Sequence, residues 1–199
     1  ARAVLAVRTE ADGSVLIGLG LDATETGWRD LPRVGAAMTV GAAFDRLRWW
    51  GPGPDETYPD RRAGAVDRIW RSTVAEQYHP YVRPQEHGTH VDARWFELVD
   101  RRGRGIRVAA RADGPGAGVR STRRATEVPR SLFSARHLDD RALTAADTVA
   151  ELEPDDEVHV TIDGAMRGVG TGACGPDVLD SFVVGPGPHR FRWRITPVG

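Results

Sequence analysis

Apolar side chains recur at every second position in several stretches of this chain. Arg190-Phe191-Arg192-Trp193-Arg194-Ile195 alternates arginine with an apolar residue throughout, the period of a half-buried antiparallel strand. Val158, Val160 and Ile162 alternate in the same way, as do Ile106, Val108 and Ala110. Val15-Leu16-Ile17 and Trp95-Phe96-Glu97-Leu98-Val99 predict shorter strands, and Ser181-Phe182-Val183-Val184 also reads as β-like. Turn residues separate these runs at 11–14, 51–54, 100–103, 113–116 and 185–188, where glycine, proline and aspartate favour reversal of the backbone. Many short strands so punctuated predict an all-β fold, an antiparallel β-sandwich in one domain over residues 1–199. The best helix candidate is Leu138 to Asp147, capped by Asp139 or Asp140. Strands and helices do not alternate, which argues against a parallel sheet, and a TIM barrel would need about 250 residues. Gly114 to Thr126, rich in glycine and arginine, predicts a long exposed loop.

Composition narrows the setting. Twenty-seven cations face 28 carboxylates for a net charge of -1, so no basic footprint points to nucleic acid. Every cation is arginine, which reads as a bias towards arginine codons rather than a binding device. One cysteine, Cys174, excludes an internal disulfide and a CxxC zinc site, and suits a reducing, cytoplasmic compartment. The uncharged stretch Val34 to Phe44 is far shorter than the ~20 residues of a membrane helix. Arg2 and Arg8 break up any signal-peptide core. The chain opens on Ala-Arg-Ala-Val-Leu without methionine, and the expectation is a piece of something longer.

Candidate chemistry is sparse. Gly170-Thr171-Gly172-Ala173-Cys174-Gly175 spells GxGxxG, but no helix is predicted to open there, so the glycines read as an irregular loop. His87 and His90 lie close together without a cysteine partner and read as exposed loop histidines, and no metal site is predicted. Cys174 has no local helix N-terminus or base that would lower its pKa. Glu76, Glu86, Asp92 and Asp163 sit in or beside ordered-looking segments, and glycosidases work with two carboxylates about 5–9 Å apart; nothing in their spacing shows that any two converge. Trp49 and Trp50 should point to opposite faces of a strand. Arg61 and Arg83 are expected to hold loop carboxylates or carbonyls through bidentate contacts.

Three segments resemble a known family. Trp49-Trp50-Gly51-Pro52-Gly53-Pro54-Asp55-Glu56-Thr57-Tyr58-Pro59-Asp60-Arg61 resembles the W-x-G-x-G-P-x-E-x-Y-P-D-R signature of the C-terminal domain of glycoside hydrolase family 2 β-galactosidases. Tyr78-His79-Pro80-Tyr81-Val82-Arg83-Pro84-Gln85-Glu86-His87-Gly88 is similar to that domain's Y-x-P-Y-x-x-P-Q-E-N-G segment, with His87 for the usual asparagine. Val160-Thr161-Ile162-Asp163-Gly164-Ala165-Met166-Arg167-Gly168-Val169-Gly170 is similar to its L-N-x-D-x-x-Q-M-G-x-G-G segment. Arg94-Trp95 and Phe133-Ser134-Ala135 match between them, and the resemblance runs from about Leu47 to Ile195.

The resemblance implies a great deal that composition does not. The family's fifth, small-chain type domain is a large antiparallel sandwich, a supersandwich like that of galactose mutarotase, and this chain would be truncated on its N-terminal side. The intact protein would hydrolyse terminal β-D-galactosides by the retaining route. Its catalytic glutamates would lie on a TIM barrel upstream, so none is expected here and the fragment alone would be inactive. Magnesium and sodium would belong to the full-length enzyme. The implied partners are a β-galactoside or other carbohydrate and the barrel of the same chain, with no nucleic acid and no membrane, and a homo-oligomer is compatible. The glycine-rich segment would complete the aglycone side of the site through Thr171, Gly172, Ala173 and Cys174, which offer no indole where the family has a tryptophan platform. Two other readings stand beside this one: a free-standing carbohydrate-binding or structural module, and an aldose epimerase-like enzyme with its acid and base in the sandwich groove.

Overall fold

The computed structural model describes residues 1–111, 130–170 and 175–199. Eleven antiparallel strands form two sheets among them. The larger sheet holds β1 (Arg2–Thr9), β2 (Val15–Asp22), β4 (Arg46–Gly53), β5 (Val66–Thr73), β7 (Trp95–Val99), β8 (Gly105–Ala110) and β11 (His189–Val198), in the order β1-β2-β11-β8-β7-β4-β5. The smaller sheet holds β3 (Arg33–Val40), β6 (His90–Ala93), β9 (Ser131–Arg136) and β10 (Val158–Met166), in the order β3-β10-β9-β6. Among the described residues no strand pairs parallel, and neither sheet closes on itself. The predicted loop at 114–126 lies outside the described residues.

The alternating runs are strands as the pattern requires. Along β11, Phe191 and Trp193 are buried while Arg190 and Arg192 are exposed. Trp49 and Trp50 do point opposite ways: Trp49 is 1% exposed and Trp50 37%. β1 and β5 escape the alternation rule because they are the edges of the larger sheet, and β1 is exposed along both faces. β3 escapes it because Gly35, Ala36 and Ala37 carry almost no side chain to pattern.

Two expected elements differ in the structure. The helix is shorter than predicted: α1 spans Asp140–Ala145, with Asp139 accepting from the Ala142 amide at 2.6 Å, and the backbone turns extended at Ala146. Ser181–Val184 is not a strand. The Phe182 amide donates to Leu179 and its carbonyl accepts from Gly168, so this backbone forms a 3-10 turn over Asp180–Phe182 and none of it is left for a ladder.

Between the sheets lies an aromatic core. Phe96 and Phe133 stack at 4.3 Å, His90 lies 4.2 Å from Trp49 and 5.2 Å from Phe133, and Trp193 and Phe191 extend the layer under β11. Burial of His90 is complete and lowers its pKa to about 3, so it packs as a neutral ring. Both histidines expected in exposed loops are therefore buried, His87 at 2% exposure and His90 at 0%. Polarity is no bar where a partner exists: His90 Nε2 meets Gln77 Oε1 at 2.6 Å.

Two glycines fit the smaller sheet to its surroundings. β10 bulges between Asp163 and Ala165, and a Cβ on Gly164 would fall 2.0 Å from the Phe191 ring. Gly35, opposite Asp163 on β3, leaves the room that the Asp163 carboxylate occupies: a Cβ there would lie 2.0 Å from Asp163 Oδ1 and 2.5 Å from the Ile162 carbonyl. Gly35→Ala should therefore cost about 1–3 kcal/mol, the usual range for overpacking. Gly41→Ala, with open space around it, should change stability by less than about 0.5 kcal/mol. Urea unfolding of both variants checks this, and equal midpoints would refute the packing assignment.

Candidate functional site

The three motif segments meet at the smaller sheet. After β4, the chain runs beside the loop before β6: the Thr57 amide donates to the Thr89 carbonyl at 2.7 Å, and Val91 N donates to Thr57 Oγ1 at 3.0 Å. Tyr58 and Arg61 then exchange backbone hydrogen bonds of 3.1 and 3.0 Å, closing a tight turn over Pro59 and Asp60.

That turn aims Asp60 at the start of the glycine-rich segment. Asp60 Oδ1 accepts from the Val169 amide at 3.0 Å and Oδ2 from the Gly170 amide at 2.7 Å. Gly168 makes the approach possible, since a Cβ there would sit 2.6 Å from the Asp60 carboxyl carbon. Gly170 adopts φ +62, the left-handed region open to glycine. On the other side, Arg167 joins Asp30 at 2.8 Å to Asp177 at 2.6 Å. Thr171, Gly172, Ala173 and Cys174, the residues predicted to reach an aglycone, lie outside the described residues. The structure shows the clamp at their root. Val169 (38%) and Leu179 (71%), close to this segment in the chain, and Trp28 (56%), two residues before Asp30, are exposed apolar side chains.

Glu56 organises the turn from within. It binds the Arg61 Nη2 and Tyr81 hydroxyl through Oε1, and Oε2 accepts from the Gly88 amide at 2.8 Å and the Tyr58 hydroxyl at 3.2 Å. Burial opposes its charge, but the bonds from Tyr81 and Gly88 and the Arg61 cation outweigh it and hold the carboxyl below its ordinary range. Gly88 (φ +68) is required where it stands, because a Cβ would fall 2.8 Å from the Gln77 carbonyl. Arg61 does hold a loop carboxylate, but through Nη2 alone rather than in a bidentate fork. Arg83 meets Asp147 at 2.9 Å on the surface.

Behind this turn is a charged cluster. Arg33 lies 3.3 Å from Glu86, 3.5 Å from Asp163 and 3.9 Å from Asp140. Arg136, 2% exposed, pairs with Glu86 at 3.3 Å and with Asp140. Of the four carboxylates singled out in the sequence, Glu86 and Asp163 are thus brought to one guanidinium. Glu76 instead accepts from Ser72 and the Thr73 amide, and Asp92 pairs with Arg62. Glu86 and Asp163 share cations in a packed layer, so they present no acid and base to a sugar in the sandwich groove. Sequence reading passed over Arg33, Arg136 and the role of Asp60. A single arginine at the end of an otherwise uncharged strand was the available signal for the first two.

Among the described residues, no three His, Cys, Asp or Glu side chains are placed to hold a metal ion. No helix among them is long and apolar enough to cross a membrane.

Two measurements test this geometry. Burial pushes the Asp163 carboxyl from its ordinary 3.8 up to about 7, with Arg33 opposing. Because the folded-state value is the higher one, its contribution to stability is full below about pH 4 and is lost as pH rises through about 7. The stability difference between Asp163→Asn and the parent chain should move in the variant's favour from pH 4.5 to pH 8, read by urea unfolding; a pH-independent difference would contradict the assignment. Asp60→Ala should speed hydrogen exchange at Val169 and Gly170 by about tenfold or more, the loss of one charge-assisted bond each, while β10 amides keep their protection.

Known proteins place this geometry. The family described as Beta galactosidase small chain matches residues 3–195. A Beta-galactosidase of an Arthrobacter species is 32% identical over 175 residues, covering 87% of this chain and 16% of that protein. The Beta-galactosidase of Priestia megaterium is 42% identical over 95 residues, 48% of this chain and 9% of its own length. That of Kluyveromyces lactis is 29% identical over 166 residues, 83% of this chain and 14% of its own. The chain therefore corresponds to less than a fifth of each of these relatives.

Proposed function

The chain belongs to the β-galactosidase small chain family, and on that footing we propose that it serves as the C-terminal domain of a β-galactosidase acting on terminal non-reducing β-D-galactosides. The observation that carries this reading is the Asp60 clamp on Val169 and Gly170. It ties the first motif to the third and fixes the backbone at Val169 and Gly170.

In this reading the domain packs on the catalytic barrel of the same protein. The exposed Trp28, Val169 and Leu179 supply apolar surface for that contact, of the kind that intra-chain interfaces cover. Thr171, Gly172, Ala173 and Cys174 complete the aglycone side, and their small size leaves it open. The chemistry belongs to two carboxylates on the barrel. One protonates the departing oxygen while the other attacks the anomeric carbon, and water then releases the sugar with the configuration retained. Magnesium and sodium belong with that barrel. The setting is cytoplasmic, and assembly into a homo-oligomer is compatible with it.

Assay on a chromogenic β-galactoside separates this from the other readings. Turnover should require the whole protein, and this chain alone should release no chromophore. Hydrolysis or mutarotation by the chain alone would overturn the proposal, as would a whole protein inert towards β-galactosides.

A further inference from the structure

The outer face of the larger sheet carries a ladder of arginines. Phe191 and Trp193 of β11 point into the core, so Arg190, Arg192 and Arg194 point away from it, and the first two are exposed. Alternate residues of a strand stand about 6.5–7 Å apart, which sets the spacing of these cations. Beside them on β2, Ile17, Leu19 and Leu21 pack towards the core and leave Gly18 and Gly20 on the outer face. Gly18 stands opposite Arg192 and Gly20 opposite Arg190. A glycine within a strand marks a bulge, a bend or a place where another backbone comes close. β2 keeps an unbroken register with both neighbours, so it has no bulge, and a Cβ at Gly20 would meet nothing within 4 Å. The face is a shallow bed of bare backbone with guanidinium groups along one side.

The complement lies elsewhere on the same molecule. No arginine occurs from 142 to 166, whereas Glu151, Glu153, Asp155, Asp156 and Glu157 crowd that interval and are all exposed. Leu152 is extended (φ -82, ψ 122), and residues 152–155 belong to no helix or strand. Glu153 and Asp155 carry the same two-residue period as Arg190 and Arg192. Pro154 between them has no N–H to leave unsatisfied on a bare surface. Asp155 also meets His159 at 2.6 Å, which holds this stretch against the start of β10. The segment leads into the smaller sheet, and the arginine bed faces away from that sheet. The two surfaces therefore cannot meet within one copy.

We propose that the bed over Gly18 and Gly20 receives the acidic segment 151–157 of a second copy of this chain. Its backbone lies on the two glycines, and its carboxylates meet Arg190 and Arg192 in charge-assisted hydrogen bonds. The two surfaces differ, so the contact is head-to-tail, and each pair keeps one bed and one segment for further copies. The inference goes beyond the β-galactosidase reading and does not rest on it.

Sedimentation of the intact protein tests it. The average mass should rise with protein concentration at about 20 mM salt and fall back at about 500 mM, where exposed charges are screened. Arg190→Glu with Arg192→Glu, or Glu153→Arg with Asp155→Arg, should each weaken association by about tenfold or more, because like charges then face each other. An equimolar mixture of the two variants should associate again, since opposite charges meet at every contact, a recovery that misfolded chains would not give. The inference is overturned if the mass depends on neither concentration nor salt, if the variants associate as the parent does, or if their mixture stays apart. Labelled poly-glutamate that binds the parent but not Arg190→Glu with Arg192→Glu, while the parent's mass stays constant, would give the bed to another acidic chain and equally overturn the second copy.

Discussion

Two guanidinium groups withdrawn from water set the terms for this fold. Arg136 and Arg33 come from different strands of the smaller sheet, and between them they bind Glu86, Asp140 and Asp163. An ion pair removed from water stabilises little by itself, but deleting one partner strands the other at a cost of about 3–5 kcal/mol. The cluster joins the loop before β6, the start of α1 and β10. It fixes where the loop before β6 crosses the sheet, where α1 begins and how β10 bulges, and the motif turn over Asp60 is built on that loop.

Hydrophobic and polar interactions divide the labour. The aromatic layer of Trp49, Phe96, Phe133 and Trp193 joins the sheets without directional demands. The turn that follows β4 buries the Tyr58 ring and is otherwise shaped by hydrogen bonds that Glu56 and Asp60 accept and that Thr57 and Thr89 make with their neighbours. A well-packed core leaves such a turn free to be specified residue by residue, and this is where the recognisable motif lies.

The sheet core was legible in the sequence because alternation reports burial on one face. Phe191 and Trp193 flanked by arginines leave no other reading. Edge strands such as β1, exposed on both faces, give no such contrast, and β3 is too rich in small residues to show one. The site was legible only as motifs. Glu56, Asp60 and Glu86 stood in quoted segments, but what each carboxylate holds depends on contacts spanning up to about a hundred residues of chain, such as Asp60 to Gly170. Periodicity carries no information at that range. His87 and His90 misled for a related reason: a titratable ring reads as surface until its neighbours show it neutral and enclosed.

The approach of Asp60 to Gly168 couples the history of two distant positions. Any residue with a Cβ at 168 would collide with the carboxylate, so a larger side chain can be accepted there only after position 60 has shortened or swung away. A shortened position 60, in turn, abandons the two amides beyond Gly168. A larger residue at 168 and a shorter one at 60 therefore compensate each other sterically, while the amides of Val169 and Gly170 are left to water or to a new acceptor.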